Sequence, residues 1–123
     1  MTDAALGADK RIEENAKITL KEGWEVEGAR LLYSASFAGD APMLLRAEGS
    51  PCRATKERDG QLLRAQAREM HYRQDTGVLT LKGFPAIQIG ERKVTASAGS
   101  TLISIHLESG AFKCEGPVTT VGN

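Results

Sequence analysis

The chain has 123 residues, enough for one domain and too few for two ordinary ones. Lys plus Arg is 16 and Asp plus Glu is 16, so the formal net charge is zero, which sets aside a general nucleic-acid binder. No stretch approaches the ~20 apolar residues of a membrane-spanning helix, and residues 1–16 lack the apolar run of a signal peptide. The chain therefore reads as a cytoplasmic protein or as a mature domain without its leader.

Residues 1–17 are rich in Ala, Asp and Glu and predict an N-terminal arm, frayed or briefly helical. A single domain is expected over 18–121. From Ile18 the pattern changes to short alternating runs broken by glycine. Strands are predicted over 18–20, 24–26 and 29–33, with a turn at Lys21-Glu22-Gly23, punctuation at Gly28, and Leu31 and Tyr33 on one face. A loop follows over 38–42, then a strand over 43–47 ending at Gly49. A strand over 52–56 and a long one over 62–72 flank Asp59-Gly60, a strong hairpin signal. Leu63, Ala65 and Ala67 share one face of that long strand. Met70 and Tyr72 have the opposite phase, so a bend between Ala67 and Met70 is needed to bring both sets inside. Asp75-Thr76-Gly77 turns the chain into 78–82. Beyond Gly83-Phe84-Pro85, apolar faces are carried by Ile87 and Ile89, by Val94, Ala96 and Ala98, and by Ile103, Ile105 and Leu107, with a turn at Gly90-Glu91. Ser109-Gly110 turns into Phe112 and Cys114, and the chain closes through Gly116-Pro117 and a polar tail.

The order repeats. Gly49, Gly83 and Gly116 stand at intervals of 34 and 33 residues, and a proline follows each within two positions. Such a period marks units that bury apolar faces against their neighbours. Counted from the turn glycines Gly77 and Gly110, Tyr72 matches Ile105, Met70 matches Ile103, Leu79 matches Phe112 and Leu81 matches Cys114. The other face carries His71, Arg73, Thr80, Lys82, Ser104, His106, Lys113 and Glu115. One dry and one wet face predict an elongated all-β protein of ~33-residue repeats, with antiparallel strands stacked around a shared interior and the glycine-proline pairs as corners. The first unit is irregular: Tyr33 to Gly49 spans 16 residues where Tyr72 to Gly83 spans 11, which predicts a longer loop near Gly39 to Pro42.

Catalytic patterns are missing. There is no Ser-His-Asp order, nucleophile elbow, phosphate loop or metal spacing, so neither enzyme activity nor a cofactor or metal is expected. Cys52 and Cys114 fall in different units and are expected as two free, partly buried thiols. His71 and His106 differ in phase and belong to the wet face. Trp24 is expected to cap one end of the core. Charge is uneven: residues 51–75 hold six bases and four acids, which suits either a phosphate-facing surface or an ordinary solvated face.

Gly49-Ser50-Pro51, Asp59-Gly60, the run from Ala67-Arg68-Glu69-Met70-His71-Tyr72, the run from Gly77-Val78-Leu79-Thr80-Leu81-Lys82-Gly83, and Pro85-Ala86-Ile87-Gln88 occur in an order that resembles the OstA-like family, which takes in LptA, LptC and the periplasmic part of LptD. The resemblance covers residues ~24–120 and is clearest over 47–89. It implies a twisted open β-jelly roll that passes lipopolysaccharide through the periplasm to the outer membrane. It also implies acyl chains in the apolar interior and domains joined edge to edge, as homo-oligomers or with similar domains. The lining implied by the resemblance is Met70, Tyr72, Leu79, Leu81, Ile87, Ile89, Ile103, Ile105 and Phe112. From the residues alone a filled core fits as well as a trough, which keeps open a second class of function, a β-repeat scaffold that assembles without a lipid.

Overall fold

The structure, a computed structural model, describes residues 10–20, 23–34, 37–38 and 41–121. The strands in chain order are β1 (Lys10–Thr19), β2 (Glu25–Ser34), β3 (Phe37–Ala38), β4 (Ala41–Pro42), β5 (Leu44–Arg58), β6 (Gln61–Arg73), β7 (Val78–Lys82), β8 (Ala86–Ile89), β9 (Arg92–Ala96), β10 (Leu102–His106), β11 (Phe112–Glu115) and β12 (Val118–Val121). Ten of them form one antiparallel sheet, while β3 and β4 pair only with each other.

The spine is the β5–β6 hairpin. Asp59 and Gly60 both take positive φ, 51° and 78°, the backbone that lets a two-residue turn follow the strand twist. Each long strand serves two half-sheets. Residues 69–73 of β6 pair with β7, which leads to β10 and β11. Residues 63–66 of β6 pair instead with β8, which leads to β9 and β12. On the other side β5, β2 and β1 run through both halves.

The halves meet at a crease. Register shifts fall between Glu48 and Cys52 on β5 and between Glu27 and Arg30 on β2. Asn15, with φ 49°, drops out of the β1 ladder on the same line. The predicted change of phase between Ala67 and Met70 is there: Leu63, Ala65, Ala67, Met70 and Tyr72 are all buried. The other two glycine-proline pairs are crossovers on this crease, Gly83 to Pro85 between β7 and β8 and Gly116-Pro117 between β11 and β12. They are stitched to neighbouring strands. Arg68 N–H donates to the Gly83 carbonyl (3.2 Å), Ala96 N–H to Pro85 (2.9 Å), and Ser97 N–H and the Thr101 hydroxyl to Pro117 (both 2.9 Å). Proline supplies the acceptor without needing a partner for an N–H it lacks.

Several expectations are corrected. Residues 10–17 of the arm are neither frayed nor helical but part of β1, which pairs along the free edge of β2 and packs Ala16 and Ile18 against the core; residues 1–9 lie outside the described residues. The strand before Gly49 does not end there. It runs through Gly49-Ser50-Pro51 as a bulge, because the hairpin partner β6 continues alongside. Gly28 likewise lies inside β2. The polar tail is β12, whose Val118 to Val121 fill the edge of β9. The extra length after Tyr33 is taken up in part by the β3–β4 pair; Gly39 and Asp40, like Lys21 and Glu22 of the early turn, lie outside the described residues.

Candidate functional site

Ladder register assembles the interior in two rows across the β7 half. One row runs Tyr33, Leu45, Tyr72, Leu79, Ile105, Phe112. The next runs Leu31, Ala47, Met70, Leu81, Ile103, Cys114. The facing half is lined by smaller side chains: Val26, Ala54, Ala65, Ile87 and Val94 form one row. Large side chains on one half against small ones on the other allow the two faces to close on each other.

All nine residues expected in the lining lie on this inner face. Seven of them, Met70, Tyr72, Leu79, Leu81, Ile87, Ile103 and Ile105, are no more than 5% exposed, while Ile89 and Phe112 are half-buried and pack against the same core. Leu31, Tyr33 and Leu45 complete the rows. Their alternation is legible, but the insertion after Tyr33 hides their alignment with the later units.

Ile89 and Phe112 stand at a mouth. Trp24, Leu63, Arg64, Ile87, Ile105 and Gly110 complete its lining around a cavity of about 10 Å³. That is room for about one water. Trp24 is 2% exposed, and its indole Nε1 donates to the Leu107 carbonyl at 3.2 Å. The bond ties the start of β2 to the end of β10, so Trp24 joins the two halves at one end. Leu20 N–H donates to the Trp24 carbonyl (2.6 Å), which ties the end of β1 to the start of β2.

The outer face is polar. Arg46 pairs with Glu48 (2.8 Å) and reaches Glu69 (3.5 Å), which also hydrogen-bonds His71. The bond with His71 holds the Glu69 carboxyl below its ordinary range, partly offset by burial and helped by the charges of His71, Arg46 and Lys82. The thiols are free. Cys52 is buried at the crease, and burial pushes its pKa up to about 11; Cys114 is half-buried and shifted upward by the same cause.

Comparison with solved structures decides the fold. LptH from Pseudomonas aeruginosa, described as the LptA-homologous periplasmic component of the lipopolysaccharide transport device, matches over 98% of this chain and 99% of its own, with TM-score 0.69 and 7% identity. This is the LptA-like fold. At that identity the likeness is one of fold and not of particular side chains. No protein-family model and no curated protein sequence matches the chain. Among the described residues of this LptA-like chain, no helix is long and apolar enough to cross a membrane.

Proposed function

We propose that this protein is a non-enzymatic periplasmic carrier that shields lipopolysaccharide acyl chains in its interior on the way to the outer membrane. The observation that carries the reading is the pair of apolar rows spanning the sheet, one of them ending at Phe112 beside the mouth, in a fold shared with a lipopolysaccharide transport component. Exposing acyl chain to water costs ~0.8 kcal/mol per methylene, so about ten methylenes cost about 8 kcal/mol. An apolar channel removes that cost without chemistry.

The closed interior sets the mechanism. Trp24 must swing out and the halves part along the crease before a chain can enter. The side chains named in the two rows then exchange contacts with one another for contacts with lipid. β1 at one side of the sheet and β11 and β12 at the other are the terminal strands of the ladder. Their outer N–H and C=O groups suit strand addition, which would join similar domains edge to edge.

The filled interior also favours a second reading, a scaffold that assembles by its edges and holds no lipid. Native mass spectrometry after incubation with lipopolysaccharide and, separately, a simple phospholipid distinguishes them. A stoichiometric lipopolysaccharide adduct, lost in Ile105→Asp and in the rim variant Phe112→Asp, supports the carrier. Phe112 is half-buried, so a folded Phe112→Asp protein is expected even if Ile105→Asp unfolds. Bare protein or bare oligomers with both lipids would sink the carrier reading.

A further inference from the structure

We propose that the outer face of the β8 half carries a binding site for a phosphorylated saccharide. This site borders the apolar mouth, with which it shares Arg64 and Ile87, but it does not depend on the carrier reading. Register places Arg53 beside Gln66, Thr55 beside Arg64, Arg64 beside Gln88 and Gln88 beside Lys93. Their strand neighbours Ala54, Ala65, Ile87 and Val94 point into the core, so these six side chains point out. They line a groove of about 540 Å³.

No carboxylate lines the groove. Elsewhere on the surface Lys17 pairs with Glu25, Arg46 with Glu48 and Glu69, and Arg73 with Asp75. Arg53, Arg64 and Lys93 make no ion pair or hydrogen bond with the described residues. The nearest acid by register is the exposed Glu27 of β2, the direct cross-strand partner of Arg53; the two line a neighbouring hollow but form no ion pair. A chain of zero net charge has thus gathered three unpaired cations into one concavity.

Charge and spacing select the ligand. The volume exceeds what a bare phosphate fills, and because other surface grooves of about 470 and 500 Å³ are present, the three cations rather than the size mark this one. Arg53 and Arg64 are diagonal neighbours, about 7–8 Å apart at Cα. Lys93 lies two strands beyond Arg64, about 10 Å away. Guanidinium groups suit phosphate oxygens, and separated cations suit more than one phosphate. Thr55, Gln66 and Gln88 between them offer uncharged partners for hydroxyls; Gln88 Nε2 donates to the Gly90 carbonyl (3.2 Å), which turns its amide oxygen free to accept. Phosphates on a sugar ring occur both on soluble sugar phosphates and on glycolipid headgroups.

The test is an NMR titration of the full chain with fructose bisphosphate, with fructose and inorganic pyrophosphate as controls. Saturable shifts are expected at Arg64, Gln66 and Gln88. Affinity should fall about tenfold or more in the triple variant R53Q/R64Q/K93Q and stay within about twofold in R30Q/K82Q/K113Q, which removes the same charge elsewhere. Displacement of the sugar by a phosphorylated glycolipid, but not by its dephosphorylated form, would support a headgroup as the occupant; failure of that displacement with the sugar still bound would support a soluble sugar phosphate. Non-saturating shifts, equal loss in both triple variants, or pyrophosphate binding as tightly as the bisphosphate would overturn the site. Loss of lipid binding in an interior variant leaves this titration unchanged, so the two readings fail separately.

Discussion

Cys52 shows how one side chain records its surroundings. It sits at the crease with its Sγ donating to the Ala67 carbonyl (3.1 Å), and burial raises its pKa from 9.0 to about 11. Only the thiolate reacts, so this thiol is inert in the folded chain. Alkylation followed by mass spectrometry should modify the half-buried Cys114 first and Cys52 only on unfolding. Equal rates in the folded protein would refute the burial. The same shift has a pH consequence with a definite sign. Between pH 9 and about 11 the unfolded chain ionises Cys52 while the folded chain resists, so that contribution to stability is intact below pH 9 and is lost as pH rises through this window. The sequence placed Cys52 in a strand and free of a disulfide; its depth came from the bulge that turns β5 around it.

Among the elements, the corner strands depend on backbone room. Gly83 has φ 78°, and a Cβ built there would stand 2.7 Å from the Cβ of Arg68. Gly77 has a similar φ of 68° but nothing within 4 Å. Gly77→Ala should therefore cost about 1–2 kcal/mol, the left-handed backbone alone. Gly83→Ala should cost more, about 2–4 kcal/mol, because the clash is with the stem of a side chain rather than its mobile end. Urea melts of the two variants give the order, and equal losses would mean that the crease can shift to make room. Most elements were legible because alternation and turn chemistry are local: the Asp59-Gly60 hairpin, the turns at Gly77 and Gly110, and the phase change before Met70. Residues 10–17 of β1 and the whole of β12 were not. Their sequences are polar enough to read as arm and tail, and what makes them strands is the unfilled edge each one meets.

For the whole molecule, the question is whether the two halves are held or can part. The crease joins them along one line and Trp24 joins them at one end through Leu107. Trp24→Ala should cost about 3–5 kcal/mol, the usual loss for a large buried aromatic. Hydrogen exchange should rise at the facing ends of β2 and β10 more than at the β5–β6 turn. A loss below about 1 kcal/mol, or exchange that rises evenly, would mean that Trp24 fills space without clamping the halves. As the only tryptophan in the chain, it also reports on itself. Lipid entry at this mouth should change its emission without loss of strand signal by circular dichroism, and an unchanged emission with bound lipid would place entry elsewhere.

By itself the sequence determined the all-β class, the repeat, the corners at two of the three glycine-proline pairs and the identity of nine inward-facing residues. These follow from period-two alternation and from backbone constraints that act over a few residues. The tertiary structure decided what a period cannot carry. It set which half each strand joins, since β6 pairs with both β7 and β8. It recruited two polar edge strands. It closed the interior around Trp24 by setting large side chains against small ones. It also gathered Arg53, Arg64 and Lys93, separated along the chain, into one groove, because strand pairing converts sequence distance into a spacing of a few ångströms.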